Sequence, residues 1–476
     1  MRTQLWRLST VLAIGALILA ACTGGATSPP PDATDGAADG EVVDIRWFCC
    51  LGAGDDPAQV EVEQQVVDDF NASHPNINLT LEVVEYEEAY DILAVQLTSP
   101  DPPDIVGPAG ISAANAFEGQ YLDLNPLVES TGYDLTQFAE GSVEFYQDPE
   151  DGLVGLPFAI FPSMLFYQRD MFDEAELEYP PHQYGEPYML DGEEREWDMD
   201  TLRELALRLT VDVNGNDATS PDFDPENVAQ WGYEPQFQDL RAVGSYFGAG
   251  SLVAEDGETA QVPDHWQDAW KWVYDGIWTD HTIMNLAQRD SPEIGNENPF
   301  QSGNVAMALT HLWYTCCATP SDPDTGELLE DPNWDLAAVP SYNGVTTSNF
   351  NADTFRILEA TEHPEEAFEV LTYLLGEASG ELLQLYGGLP GREADQDAFF
   401  EGLDEKWTQG VDWQVALDSI PFADNPSFEG WTPNYQEGFD AVLAFGDKLR
   451  STEGLDIDAE IEGFIEELQT IFDRAE

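Results

Sequence analysis

Five cysteines and one run of alternating oxygen side chains are the residues of this chain whose types and spacing could do chemistry. Cys49-Cys50 and Cys316-Cys317 are adjacent pairs, and Cys22 stands alone. The pairs lack the Cys-x-x-Cys spacing with which one short turn presents two thiolates to zinc. In an exported protein their default use is in disulfides. Asp212-Val-Asn214-Gly-Asn216-Asp217 places oxygens at the first, third and fifth positions of a calcium loop. The glycine position and the closing Glu of such a loop are absent, so a structural Ca2+ at Asp212, Asn214 and Asn216 and a plain polar turn both stand as readings. Catalysis finds little support. There is no Gly-x-Ser-x-Gly, no His-Glu-x-x-His and no phosphate loop. With 93 acids in the chain, paired carboxylates prove nothing. No enzyme activity is expected, and no cofactor is required.

Cys22 acquires a meaning from what precedes it. Arg2 and Arg7 lead into the apolar run Val11–Ala20, and Leu19-Ala20-Ala21 directly precedes the cysteine. The stretch is short for a bilayer span and has the flanks of a secretory signal. It resembles a bacterial lipoprotein signal over residues 1–21. That resemblance implies cleavage before Cys22, lipid on its thiol and an extracytoplasmic protein anchored at the cell membrane. The segment 22–41 holds no aromatic residue and nothing larger than Pro or Asp after Thr23, up to Gly40. Such a composition cannot offset its ordering entropy, and it reads as a tether reaching roughly 20–25 Å.

The elements that position chemistry begin at Val42. About 435 residues with 13 Trp suffice for two packed domains. The net charge is −77, from 93 acids and 16 bases spread along the chain. Nucleic acid is excluded as a partner, because little is present to neutralise phosphates. Anionic small ligands are disfavoured, although one buried Arg could still hold one. Such a surface repels itself unless salt screens it, which points to a salt-rich habitat.

Val43–Cys49 alternates as a strand, and Val60, Val62, Val66, Val67 and Phe70 have the spacing of a helix over Pro57–Ser73. Ile77–Glu85 reads as a strand, Tyr86–Thr98 as a helix, and Pro102–Val106 opens a buried strand. This is an α/β unit with parallel strands, whose ligands sit beyond the strands' carboxyl ends. The site is therefore expected at Cys49–Asp56, including Asp55, and at Gly107–Ile111.

The run Pro102-Pro-Asp-Ile-Val106, then Ala116–Leu124, Gly155-Leu-Pro157 and Leu165-Phe-Tyr167, is similar to the family 1 extracellular solute-binding proteins of ABC importers, of the maltose-binding type. Phe300–Met307 through Trp313, Leu336–Pro340 and Gly387–Arg392 continue the likeness in order, from about Val42 to the end. The resemblance implies a two-lobe periplasmic-binding-protein type II fold with a ligand cleft between the lobes and several hinge crossings. By analogy the crossings lie near Leu156–Ile160, Ala337–Ser341 and Leu375–Ser379. The N-lobe is then 42–157 and 341–376, and the C-lobe 160–336 and 380–476. The implied function is a monomeric, lipid-anchored receptor. It captures a small solute, a carbohydrate above all, and delivers it to the permease of an ABC importer.

The same resemblance assigns ligand contacts. Trp313 aligns with a ligand-stacking Trp and has Tyr314 beside it. Trp431 matches a second aromatic region, and Glu234-Pro-Gln236 resembles a cleft segment that offers Gln236 to hydroxyls. Phe161, Asn351 and Asp353 follow crossing strands. Core packing is nevertheless the commoner fate of a Trp. The family's charged cleft residue falls at Phe161 here and its cleft aromatic at Pro108, so maltodextrin specificity does not transfer. On this map the two cysteine doublets lie in different lobes. A bond joining them would oppose opening, so vicinal bonds, Cys49–Cys50 and Cys316–Cys317, are the expectation, each a rigid sulfur surface near the ligand. A cross-doublet bond and free thiols are the alternatives. Other readings of the whole are a tethered glycoside-active enzyme, a receptor for a cationic or peptide solute, and an adhesin.

Overall fold

The computed structural model describes residues 42–474, apart from 53–56, 139–141, 144–145, 149–150, 293, 295–297, 317, 320–328, 330–331 and 425–431. Cys22, Asp55, Cys317 and Trp431 lie outside the described residues.

β1 (Val43–Cys49) is followed by α1 (Pro57–Ser73), β2 (Ile77–Val83), α2 (Tyr86–Gln96) and β3 (Ile105–Ala109). β1 pairs in parallel with both β2 and β3, the crossover unit that the periodicity predicts. α1 buries Glu63, Val66, Val67 and Phe70, one face at helical spacing. β3 starts later than expected, because Pro102 and Pro103 have no N–H to offer a ladder.

β4 (Ala159–Gln168) organises the rest. All ten of its residues are buried, as in a strand covered on both faces. β5 (Val228–Glu234), β6 (Val305–His311), β7 (Trp334–Ala337) and β8 (Phe350–Ile357) are further strands of the main sheet, along which the order runs β2-β1-β3-β8-β4-β6-β5, with β7 paired to β4 off that path. The two ends of β4 serve different neighbours. Ala159–Pro162 pair with β8, while Ser163–Tyr167 pair with β6 and Leu165–Gln168 with β7. β8 also changes partner, from β4 at Phe350–Asp353 to β3 from Thr354 onward. The fold is thus two lobes knitted by long strands. Residues 338–349 still bond to Pro181, Trp197, Ser245 and Phe422.

The helices that matter to the site are α3 (Met199–Leu209), α4 (Leu240–Ser245), α5 (Asp264–Trp278), α6 (Leu286–Arg289) and α7 (Tyr435–Ser451). One core gathers Trp47, Phe70, Phe355 and Leu371, and another gathers Tyr167, Trp197, Trp270 and Phe464. Trp47, Trp266, Trp270 and Trp334 are fully buried, so packing accounts for them. No helix among the described residues is long and apolar enough to cross a membrane.

Candidate ligand cleft

Where β1 and β3 end, the chain opens a cavity of about 220 Å³. Leu51 and Gly52 line it after β1, and Gly110 and Ser112 after β3. Asn351 and Asp353 enter from β8. The Asp353 carboxylate is wedged between the two glycines. A Cβ on Gly52 would stand 3.0 Å from its Oδ2, and one on Gly110 2.8 Å from its Oδ1. Burial pushes the Asp353 carboxyl up to about 7, against the pull of Arg356. Near neutrality it therefore both donates and accepts, as a partner for hydroxyl groups does.

The opposite wall is aromatic and amide. Phe237 lies 42% exposed with φ at 55°, a left-handed conformation that a bulky side chain rarely adopts. Such strain concentrates at ligand-clamping positions. Tyr435 and Phe439, one turn apart on α7, stack with centroids 6.1 Å apart and line the same cavity. Gln238 gives its amide to His311 Nδ1 at 3.2 Å, and His311 Nε2 lies 2.7 Å from Asn349 Oδ1. Burial pushes the His311 imidazole down to about 4, although Asn349 opposes this. The ring is neutral at ordinary pH, with Nε2 donating to Asn349 and Nδ1 accepting from Gln238. Asn349 Nδ2 in turn donates to Ser245 Oγ at 2.8 Å. These bonds hold a row of planar polar groups beside the aromatic faces.

Of the residues singled out from the sequence, Asn351 and Asp353 line the cavity. Trp313 stands behind it, tilted against Phe237 at 5.8 Å and stacked near His311 at 6.1 Å. Gln236 is fully buried and its amide is used within the core, donating to Asn298 Oδ1 and accepting from Phe300 N–H. Tyr314 is fully buried against Phe166 and Phe300, and its hydroxyl donates to Asn298. Phe161 packs in the core of Phe70 and Phe355. Phe237, Tyr435, Phe439 and His311 were missed. Phe237 adjoins Gln236 within a polar run, but its backbone conformation leaves no trace in residue type.

Cys49 and Cys50 are joined to each other by a disulfide, and Cys316 is also disulfide-bonded. Cys49 and Cys50 are fully buried and outside the cavity lining, so they present no surface to it. Among the described residues, Cys49, Cys50 and Glu63 bring ligand-type atoms within 4.8 Å of one another. The disulfide occupies the thiols, and the Glu63 carboxylate takes the Tyr386 O–H. Asp212 is buried, and its carboxylate accepts from Asn214 N, Asn216 N, Asn216 Nδ2 and Asp224 N. Burial alone would raise its pKa, yet those bonds hold it well below the usual carboxylate range.

A second cavity of about 350 Å³ adjoins the first and shares Phe237, Gln238, Asp239 and Phe439 with it. It runs between α4, α5 and α7.

A family model described as bacterial extracellular solute-binding protein matches residues 55–381. A lipoprotein of the oleD 5′ region in Streptomyces antibioticus is 21% identical over 457 residues, covering 94% of this chain and 91% of that protein. An arabinooligosaccharide-binding protein of Halalkalibacterium halodurans is 23% identical over 408 residues, covering 82% of each. Among solved structures, an ABC substrate-binding protein of Listeria monocytogenes in complex with cycloalternan superposes with TM-score 0.65 at 15% identity, covering 91% of this chain and 99% of that one. The sugar-binding protein MalE of Xanthomonas citri superposes with TM-score 0.66 at 14% identity, covering 91% and 98%. At such identities the superpositions establish the fold alone.

Proposed function

The chain belongs to the bacterial extracellular solute-binding proteins, and from that premise we propose that it closes its two lobes on a carbohydrate and delivers it to the permease of an ABC importer. Members of this family bind; they are not enzymes. The observation that carries the sugar reading is the pairing, in one cleft, of aromatic faces with planar hydrogen-bonding groups. Phe237, Tyr435 and Phe439 suit the C–H faces of a sugar ring, and Asn351, Asp353 and Gln238 suit its hydroxyls. The arabinooligosaccharide-binding relative supports the same reading.

Closure needs no covalent step. Ligand contacts on both lobes suffice to favour the closed state. We assign Trp313 the role of holding Phe237 in place, with Tyr314, Gln236 and Phe161 shaping the core beneath. Trp431 and Asp55, which lie outside the described residues, are retained as proposed ligand contacts. We divide the lobes as the family resemblance implies, except that the second exchange of chain is drawn within β8 and not at Ala337–Ser341; the bonds of residues 338–349 to Pro181, Trp197, Ser245 and Phe422 and the change of strand partner at Thr354 support this. Lipid on Cys22 would keep the receptor, as a monomer, within reach of its transporter. No cofactor is required. Asp212 already accepts four N–H groups, which favours a polar turn over a structural Ca2+.

Thermal melting in the presence of neutral mono- and oligosaccharides tests the reading, since a ligand of the folded state raises the melting point. A sugar that raises it in the wild type, with the rise abolished in Phe237→Ala, is the expected result. If peptides or polyamines raise it and no sugar does, the carbohydrate assignment falls.

A further inference from the structure

The second cavity has a chemistry that the net charge conceals. Two of the chain's sixteen bases, Arg289 at the end of α6 and Arg450 near the end of α7, line it together. Arg450 is 8% exposed; its Nη1 donates to Met284 O at 3.0 Å and its Nη2 lies 3.0 Å from Glu234 Oε1. Arg289 Nε stands 3.7 Å from the same oxygen and has no hydrogen-bond partner among the described residues. Glu234 is fully buried. Two guanidiniums therefore share one carboxylate, leaving one positive charge in excess within this group of three side chains. The other charged groups on the cavity wall are placed differently. Asp239 accepts the Ala242 N–H at the start of α4, and Asp447 is exposed. The remaining wall is apolar, with Leu240, Val243, Val442 and Leu443 among its residues.

A largely buried charge that is only partly compensated is costly, and an arriving anion relieves that cost. The planar fork of Arg matches a carboxylate in two parallel hydrogen bonds. One excess positive charge is balanced by a carboxylate and overshot by a dianionic phosphate. We propose that this cavity is a carboxylate subsite, in which the sugar held by the adjoining cleft docks an acidic group of uronic-acid type on Arg289, with Arg450 behind it. The proposal rests on the carbohydrate reading for its sugar but not for its anion.

Titration calorimetry at constant ionic strength tests it with matched probes: galacturonate and digalacturonate, their methyl esters, galactose, galactose 6-phosphate and phenylacetate. The expected result is that a free uronate binds about tenfold or more tightly than its ester, and that Arg289→Gln removes this preference while Arg289→Lys keeps part of it. The melting point of each empty variant establishes that it folds. If neutral sugars bind and uronates gain nothing over their esters, or if the gain survives in Arg289→Gln, the subsite is refuted while the carbohydrate reading stands. If phenylacetate binds with Arg289 dependence and no sugar does, the subsite survives and the carbohydrate reading falls. Binding of the phosphate in preference to every carboxylate overturns the charge-matching argument.

Discussion

Asp353 faces the cleft with a carboxyl group raised to about 7 by burial. A carboxyl whose folded pKa exceeds its unfolded value binds more protons in the folded state. Its ionisation therefore removes stability as pH rises between the two values and costs its full amount above the folded one. Asp353→Asn is expected to flatten the fall in stability between about pH 4 and about pH 7, read from urea midpoints across that range. Phe237 offers a second test. A non-glycine residue in the left-handed region costs about 1–3 kcal/mol, and Asn tolerates that region better. Phe237→Asn is expected to leave the melting point of the ligand-free protein equal or higher while weakening ligand by about tenfold in calorimetry. Asn351 and Asp353, which stand on β8, were legible as candidates because the family pattern places them beside a crossing strand. Phe237 and Phe439 were not, because a cleft aromatic differs from a core aromatic only in what surrounds it after folding.

Two glycines show what elements demand of each other. Gly232 on β5 lies against α3, where a Cβ would stand 2.0 Å from the Ala206 carbonyl oxygen. Backbone cannot give way there as the end of a side chain can, so Gly232→Ala is expected to cost about 3 kcal/mol or more of stability in chemical denaturation. Gly110 meets only the Asp353 carboxylate, so Gly110→Ala is expected to spare most of the stability and reduce ligand affinity. The reverse ranking would remove the wedge from the account of the cleft. β1, α1 and β2 were legible from periodicity, since strand alternation and helical spacing are local. The sharing of β4 between two half-sheets was not, because a strand buried on both faces reads as one apolar run whichever neighbours it has.

Across the whole molecule the dominant quantity is the net charge of −77. Many of the few bases are engaged in ion pairs, such as Arg169 with Asp335, Arg203 with Asp280 and Lys271 with Asp458, and most acids have no basic partner available. Self-repulsion of this kind falls when salt shortens its range. Raising KCl from about 0.1 M to about 1 M shortens the screening length from about 10 Å to about 3 Å and is expected to raise the melting point. A melting point that falls over that range would count against repulsion as the controlling term.

The amino-acid sequence by itself determined the quantities that are sums or local patterns. These are the charge, the α/β alternation and the ordered pieces that identify the family. Tertiary structure decided which side chains share a space. It put Asp353 between Gly52 and Gly110, turned Phe237 outward, drew Gln236 and Tyr314 into the core and brought Arg289 and Arg450 to one buried carboxylate. The physical reason is distance. Burial, hydrogen bonding and charge compensation act over a few ångströms between residues up to hundreds of positions apart, so a chain rich in acids can still close around two arginines that share a single buried carboxylate.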